Sequence, residues 1–197
     1  MAHTTAPTSR RSGRVPHSNP TTAGGRRKPA RQSSAITAVV QPRSVMVDSG
    51  HVVIAASIAA QPLYLAWGDG IRTPDQDASA TSLVNELGRR KVTTVSYAVP
   101  DLEGTIIVSG VRYSTSDKPT RHLYLQTGFD SADAHDSIIT EVSVFAGSTM
   151  IDGLPSDQSY FTPAELVNPG RMLTLRHADP IYRSPAIREN FEMVITF

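Results

Sequence analysis

The chain of 197 residues carries 19 Lys+Arg against 18 Asp+Glu, a net charge of only +1. That sum conceals a division. Residues 1–47 hold eight cations (Arg10, Arg11, Arg14, Arg26, Arg27, Lys28, Arg31 and Arg43) and no acid, whereas residues 48–197 hold eleven cations and all eighteen acids, so +8 is followed by −7. The absence of cysteine excludes disulfides, thiolate metal sites and cysteine nucleophiles together. No run approaches the roughly 18–20 apolar residues of a membrane span. The basic N-terminus also lacks the apolar stretch of a secretory signal. Its Arg and Ser content is that of a transit peptide, but Pro7, Pro16, Pro20 and Pro29 deny it a long amphipathic helix.

Residues 1–34 contain one large aliphatic residue, Val15, and no aromatic. Ordering a backbone costs roughly 1–2 kcal/mol per residue, which such a segment cannot offset by burial. Residues 1–47 therefore read as a long extended arm that needs partners to become ordered. Within it, Ala35–Val40 and Ser44–Val47 are β-prone pieces separated by Pro42. They suit strand addition to a neighbouring subunit.

Residues 48–197 read as a single mainly-β domain. His51–Ala60, Ala-rich and followed by Gln61-Pro62, is expected as a buried strand, and Leu63–Trp67 as a second that ends at a Gly68-Asp69-Gly70 turn. Asp77–Arg90 is the expected helix, with Ser79 or Thr81 as N-cap and Leu83 and Leu87 spaced i,i+4. Lys91–Val99 alternates, with Val95, Tyr97 and Val99 on one face. Thr105–Tyr113 follows a Pro100–Gly104 turn, with Gly110 marking a bulge. Arg121–Phe129 places Leu123, Leu125 and Phe129 on one face, and Ser137–Ala146 is rich in Ile, Val and Phe. Thr162–Asn168 is expected to form one helical turn, opened by Pro163 and closed by Pro169. Arg171–His177 is a short strand, and Asn190–Phe197 closes the chain with Phe191, Met193, Ile195 and Phe197 alternating. Such strands, separated by Gly, Pro and Asp turns, predict an antiparallel β-sandwich or barrel-like domain with one or two short helices.

Chemistry-bearing constellations are few. Asp130-Ser131-Ala132-Asp133-Ala134-His135-Asp136 gathers three carboxylates and an imidazole, the types that ligate a hard cation or form an acid–base pair. It lacks the register of a calcium loop, and a solvated Asp-rich turn explains it equally. His3, His17, His51, His122, His135 and His177 include no i,i+4 metal pair. His122 is placed on the strand face opposite Leu123, and His177 at a strand end. No phosphate-binding loop, dinucleotide fingerprint or nucleophile elbow is present, so no cofactor is expected. Trp67 reads as an anchor of the core or of an interface. The run Glu86-Leu87-Gly88-Arg89-Arg90-Lys91 reads as a small basic patch, or equally as dipole complementation at the end of the expected helix with local pairing to Glu86.

Leu65-Ala66-Trp67-Gly68-Asp69-Gly70, Leu83-Val84-Asn85-Glu86-Leu87-Gly88-Arg89-Arg90-Lys91, Pro119–Tyr124 and Ile138–Phe145 together resemble structural proteins of tailed bacteriophages. The likeness is to small tail, baseplate and fibre-attachment domains, in which a Gly-Asp-Gly turn precedes a Glu-x-Gly-Arg helix and an Ile-x-Glu strand. Thr140 and Ser143 stand where that pattern has Arg and Gly. The resemblance implies a noncatalytic virion component of the tail, baseplate or neck, repeated around a symmetric ring and bound to other virion structural proteins. Two further readings stay open. One is a capsid-interior or portal-proximal protein whose basic arm contacts packaged DNA. The other is a tail-associated hydrolase using the Asp130–Asp136 cluster.

Overall fold

A strand buried on both faces organises the domain. It is β1 (Leu63–Gly68), all six residues of which are buried in the computed structural model. Residues 44–71 and 78–197 are described, and Ser44–Phe197 forms one unit. The eight cations of the arm, the Ala35–Val40 segment and Asp77 lie outside the described residues. Leu63, Leu65 and Trp67 of β1 face the main core, while Ala66 joins a smaller cluster with Leu83 and Phe145.

The remaining strands are β2 (Glu86–Lys91), β3 (Thr94–Pro100), β4 (Ile106–Val108), β5 (Val111–Ser116), β6 (His122–Phe129), β7 (Ile138–Ala146), β8 (Thr149–Met150), β9 (Tyr160–Phe161), β10 (Leu166–Asn168), β11 (Arg171–Tyr182) and β12 (Glu189–Thr196). One five-stranded sheet has the order β11-β7-β1-β2-β9, a second the order β12-β6-β3-β5-β4, and β10 and β8 form a ribbon. Every pairing described is antiparallel. The sheets share one core, in which Trp67 of the first stacks on Phe129 of the second with ring centroids 3.6 Å apart. The architecture is mainly β, as the turn-punctuated strand pattern predicts.

Two elements differ from expectation. Asp48–Ala59 is a helix, α1, where a buried strand was expected from His51. The segment is apolar without a period, and such a run does not distinguish a buried strand from a helix. Its alanines and the acid in its first turn decide for the helix. It packs over the β3–β6 surface, burying Ala55 and leaving Val53 exposed. Conversely, the expected helix Asp77–Arg90 is absent from the described residues. Residues 78–85 run through turns and bends, and Glu86–Lys91 is strand β2. Leu83 and Leu87 do not share a helical face: Leu83 joins the smaller cluster and Leu87 the main core. Pairing of β2 with β1 on one side and β9 on the other overrides a local helix propensity that Gly88 already weakens.

Three smaller corrections concern strand ends and turns. Gly110 forms no bulge. With Ser109 it makes the two-residue turn between β4 and β5, both residues at positive φ (51° and 80°), as in the tight hairpins favoured by strand twist. His177 lies within β11 rather than at a strand end, because the strand continues through Asp179-Pro180 with a register shift against β7. Proline is tolerated there because β11 is an edge strand, where its missing N–H costs no ladder bond. The turn at Thr162 is a single 3-10 turn, Pro163–Glu165, opened by proline as expected, while Leu166–Asn168 forms β10.

Candidate functional site

Three sequence-remote segments meet on the outer face of β1. At its end the chain turns through Gly68-Asp69-Gly70 around the carboxylate of Glu141, a fully buried acid on the neighbouring strand β7. Glu141 Oε2 accepts the backbone N–H of Val84 at 3.0 Å, and Thr140 Oγ1 donates to the Gly70 carbonyl at 2.7 Å. Asn85 donates to Asp69 at 2.5 Å, while its own carbonyl accepts the Asp69 N–H at 3.2 Å. Glycine is obligatory at position 70: a Cβ would overlap Glu141 Oε2 and come within 2.6 Å of Val84 Cβ. A buried carboxylate is tolerable when donors face it, and here the backbone N–H groups of Val84 and Asn85 supply them.

Beside this knot lies Arg89, whose side chain has no exposed surface. Its Nε and Nη2 form a fork on Glu86, both bonds 2.7 Å long. Nη1 reaches Ser148 Oγ at 2.7 Å and the Pro169 carbonyl at 2.5 Å, and the guanidinium lies 4.1 Å from the Phe145 ring centre. Three of the guanidinium's four partners, Ser148, Pro169 and Phe145, reach across the fold. The side chain ties β2 to the Gly147–Ser148 corner and to the loop before β11.

On the inner side, Trp67 is fully buried among Phe129, Tyr160 and Phe191. Its indole N–H donates to the Tyr160 hydroxyl at 3.2 Å, and that hydroxyl donates to the Leu87 carbonyl at 3.2 Å. Burial pushes the Tyr160 phenol above its ordinary pKa, so the hydroxyl stays a donor. Of the two roles expected for Trp67, the structure shows the core one. Its side chain has no exposed surface and packs wholly inside the domain.

The Asp130–Asp136 segment is a turn fastened by arginines. Arg90 Nη2 meets Asp130 at 2.6 Å and its Nε meets Asp133 at 2.8 Å. Asp133 also accepts the Asp130 N–H at 2.7 Å, and Arg183 donates to the Asp130 carbonyl at 2.6 Å while lying 4.8 Å from the Trp67 ring. His135 and Asp136 are exposed and 3.6 Å apart. Two of the three carboxylates are therefore committed to guanidinium partners. His122, on the face opposite Leu123 as expected, contacts Thr196 Oγ1 at 2.8 Å, and burial, aided by Arg121, lowers its pKa.

The Gly-Asp-Gly turn, the Glu-x-Gly-Arg segment and the Ile-x-Glu strand thus form one interlocked structure. In it the segment expected as a helix serves as a strand. A protein-family profile described as "Baseplate wedge 3 tail fiber network component" matches residues 44–197, the whole described domain. The chain belongs to this family. It is a structural component of the phage baseplate and tail-fibre network, it resides in the virion, and it interacts with other virion structural proteins. No curated protein matches the sequence.

For this baseplate wedge component, sequence reasoning overlooked Arg89, Arg90 and Glu141 as network centres. It read the two arginines as a small basic patch or as dipole complementation with local pairing, and Arg89 does pair with Glu86. Yet the longer-range partners, Ser148, Pro169, Asp130 and Asp133, lie 40 or more residues away. One signal was available: Glu141 sits among Ile, Val and Phe, where an unpaired charge would not be buried.

Proposed function

We propose that this baseplate component is a noncatalytic assembly subunit, repeated around a symmetric ring, whose residues 1–47 dock as an arm on neighbouring subunits while residues 48–197 form the body. The observation that carries the reading is the coincidence of two boundaries. The family match begins at residue 44, and the charge changes sign at residue 47, from +8 to −7. An arm rich in cations and a body rich in acids attract one another between copies without any third component. The buried polar groups support the noncatalytic part, since Glu141, Arg89, Asp133 and Arg183 are committed to holding strands and turns together.

Limited proteolysis tests this reading. Trypsin should leave Arg10 to Arg43 intact in the assembled particle and cleave there rapidly in the isolated protein. Equal cleavage in both states refutes arm docking. Self-association should also weaken with salt in the absence of nucleic acid, because screening shortens to about 8–10 Å at physiological ionic strength.

The eight acid-free cations also favour a second reading, contact with packaged DNA. Were all eight to neutralise phosphates, log K would fall with log salt at a slope of roughly −7. With no aromatic in the arm, such binding would be nonspecific. DNA binding of that steepness, abolished by deleting residues 1–34, would favour this reading over protein docking.

A further inference from the structure

The two five-stranded sheets have four edges, and three of them are blunted. β9 has two residues and β4 three, while β11 carries Arg171, Arg176 and Asp179-Pro180 and shifts register twice against β7. The fourth, β12, is different. It makes eight consecutive pairs with β6 without a shift, and its sequence Glu-Asn-Phe-Glu-Met-Val-Ile-Thr contains no proline, glycine or cation. An unshifted edge of this kind, half of its residues apolar, is a template for another strand.

The direction of its free hydrogen-bonding groups follows from one contact. The Phe197 N–H donates to the Arg121 carbonyl at 3.0 Å. Antiparallel alternation then turns the backbone groups of Phe191, Met193 and Ile195 toward β6, and those of Asn190, Glu192, Val194 and Thr196 outward. The outer edge approaches β4 across a groove of about 550 Å³, lined by Ile107 and Val108 of β4, Leu173 and Arg176 of β11, and Val194 and Ile195 of β12 among others.

We propose that this edge receives Ala35–Val40 of a second copy as an added antiparallel strand. The inference rests on the arm-docking reading above and specifies its site. Ala35-Ile36-Thr37-Ala38-Val39-Val40 has no charge, proline or glycine, and its six residues match the length of the outward stretch of β12. The position at which the domain begins favours a second copy over the chain's own arm. Asp48 of α1 lies 3.6 Å from Arg121, whose carbonyl holds Phe197, so the chain enters beside the C-terminal end of β12. An arm folding back along β12 from that point would run parallel to it. Every described pair is antiparallel, and the antiparallel ladder is the more stable per residue. An arm arriving from another copy meets β12 antiparallel, bringing the cation Arg43 to the end that carries Glu189 and Glu192. With residues 35–40 laid along β12, residues 41–43 tether them to the body at Ser44 over at most about 14 Å, so the two bodies must adjoin at the Glu189 end of β12.

The absence of native cysteine makes the test clean. Full-length Val194→Cys is mixed with full-length, size-tagged copies that each carry one cysteine at a position from 35 to 40, and the mixtures are oxidised. A disulfide-linked band joining the two differently sized chains is expected at one or more alternate positions, since paired strands bring Cα atoms within disulfide reach. Val194→Pro removes an outward donor but no β12–β6 bond, and should weaken self-association at least tenfold with Trp67 fluorescence unchanged. Unaltered self-association of Val194→Pro overturns the site, as does the absence of a cross-chain band at all six positions. If the arm is nonetheless protected from trypsin in the particle, it docks elsewhere and only this site fails. If the arm is unprotected as well, the docking reading fails with it. Linkage confined within single chains carrying both cysteines overturns the second copy as the occupant.

Discussion

Replacing Arg89 by methionine tests whether the outer-face network holds the domain together. The substitution keeps most of the apolar stem and removes four donor contacts, two to Glu86 and one each to Ser148 and the Pro169 carbonyl, all between 2.5 and 2.7 Å. Removing one partner of a buried ion pair typically costs about 3–5 kcal/mol, because the other charge is stranded. Glu86 retains 12% side-chain exposure and some hydration, which places the cost near the lower end. At roughly 2–4 °C per kcal/mol for a domain of this size, a loss of about 3 kcal/mol lowers Tm by about 6–12 °C. Urea unfolding followed by Trp67 fluorescence should show the same loss in the midpoint, with the slope unchanged. Adding Glu86→Leu removes the stranded carboxylate, so the double variant should recover part of the loss, with a coupling of about 1.5–3 kcal/mol. A single variant within about 0.5 kcal/mol of the parent, or strict additivity of the two changes, refutes the reasoning.

Other expectations follow from the same geometry. Gly70→Ala forces a Cβ onto Glu141 Oε2 and should destabilise by about 1–3 kcal/mol in denaturant titrations; a neutral result would show that the turn is not packed against Glu141. Asp133→Asn keeps the shape but loses the charge that faces Arg90 and the Asp130 N–H, a cost of about 2 kcal/mol by the same measurement. Hydrogen bonds from the Thr162 backbone and from the side chains of Gln158 and Thr162 hold Glu165 below its ordinary pKa. Its contribution is therefore present above the unfolded value and is lost as the pH falls through the lower folded value. Glu165→Gln should flatten that part of the pH–stability profile, and an unchanged profile would refute the assignment.

The sequence by itself determined the reversal of charge at residue 47 and the mainly-β character of the domain. It also located β3, β6, β7, β12 and the first part of β11, because a half-buried strand writes its period of two into local sequence, whereas the short strands β8, β9 and β10 carry too few residues to show one. Leu123, Leu125 and Phe129 alternate in the sequence and are all buried in the fold. Pairing partners are not written locally, and only the tertiary structure decided them. Glu86–Lys91 is helix-prone in isolation and becomes a strand because β1 and β9 accept it on either side. His51–Ala59 lacks a period in sequence, and its helical form is seen only where it covers the β3–β6 surface. The Asp130–Asp136 cluster, legible as possible chemistry, became a turn closed by Arg90 of β2 and by Arg183 just past β11, 40 and more residues distant. A charge in sequence shows that a partner is needed, but the fold decides which residue that partner is, since electrostatic pairing depends on distance in space and not along the chain.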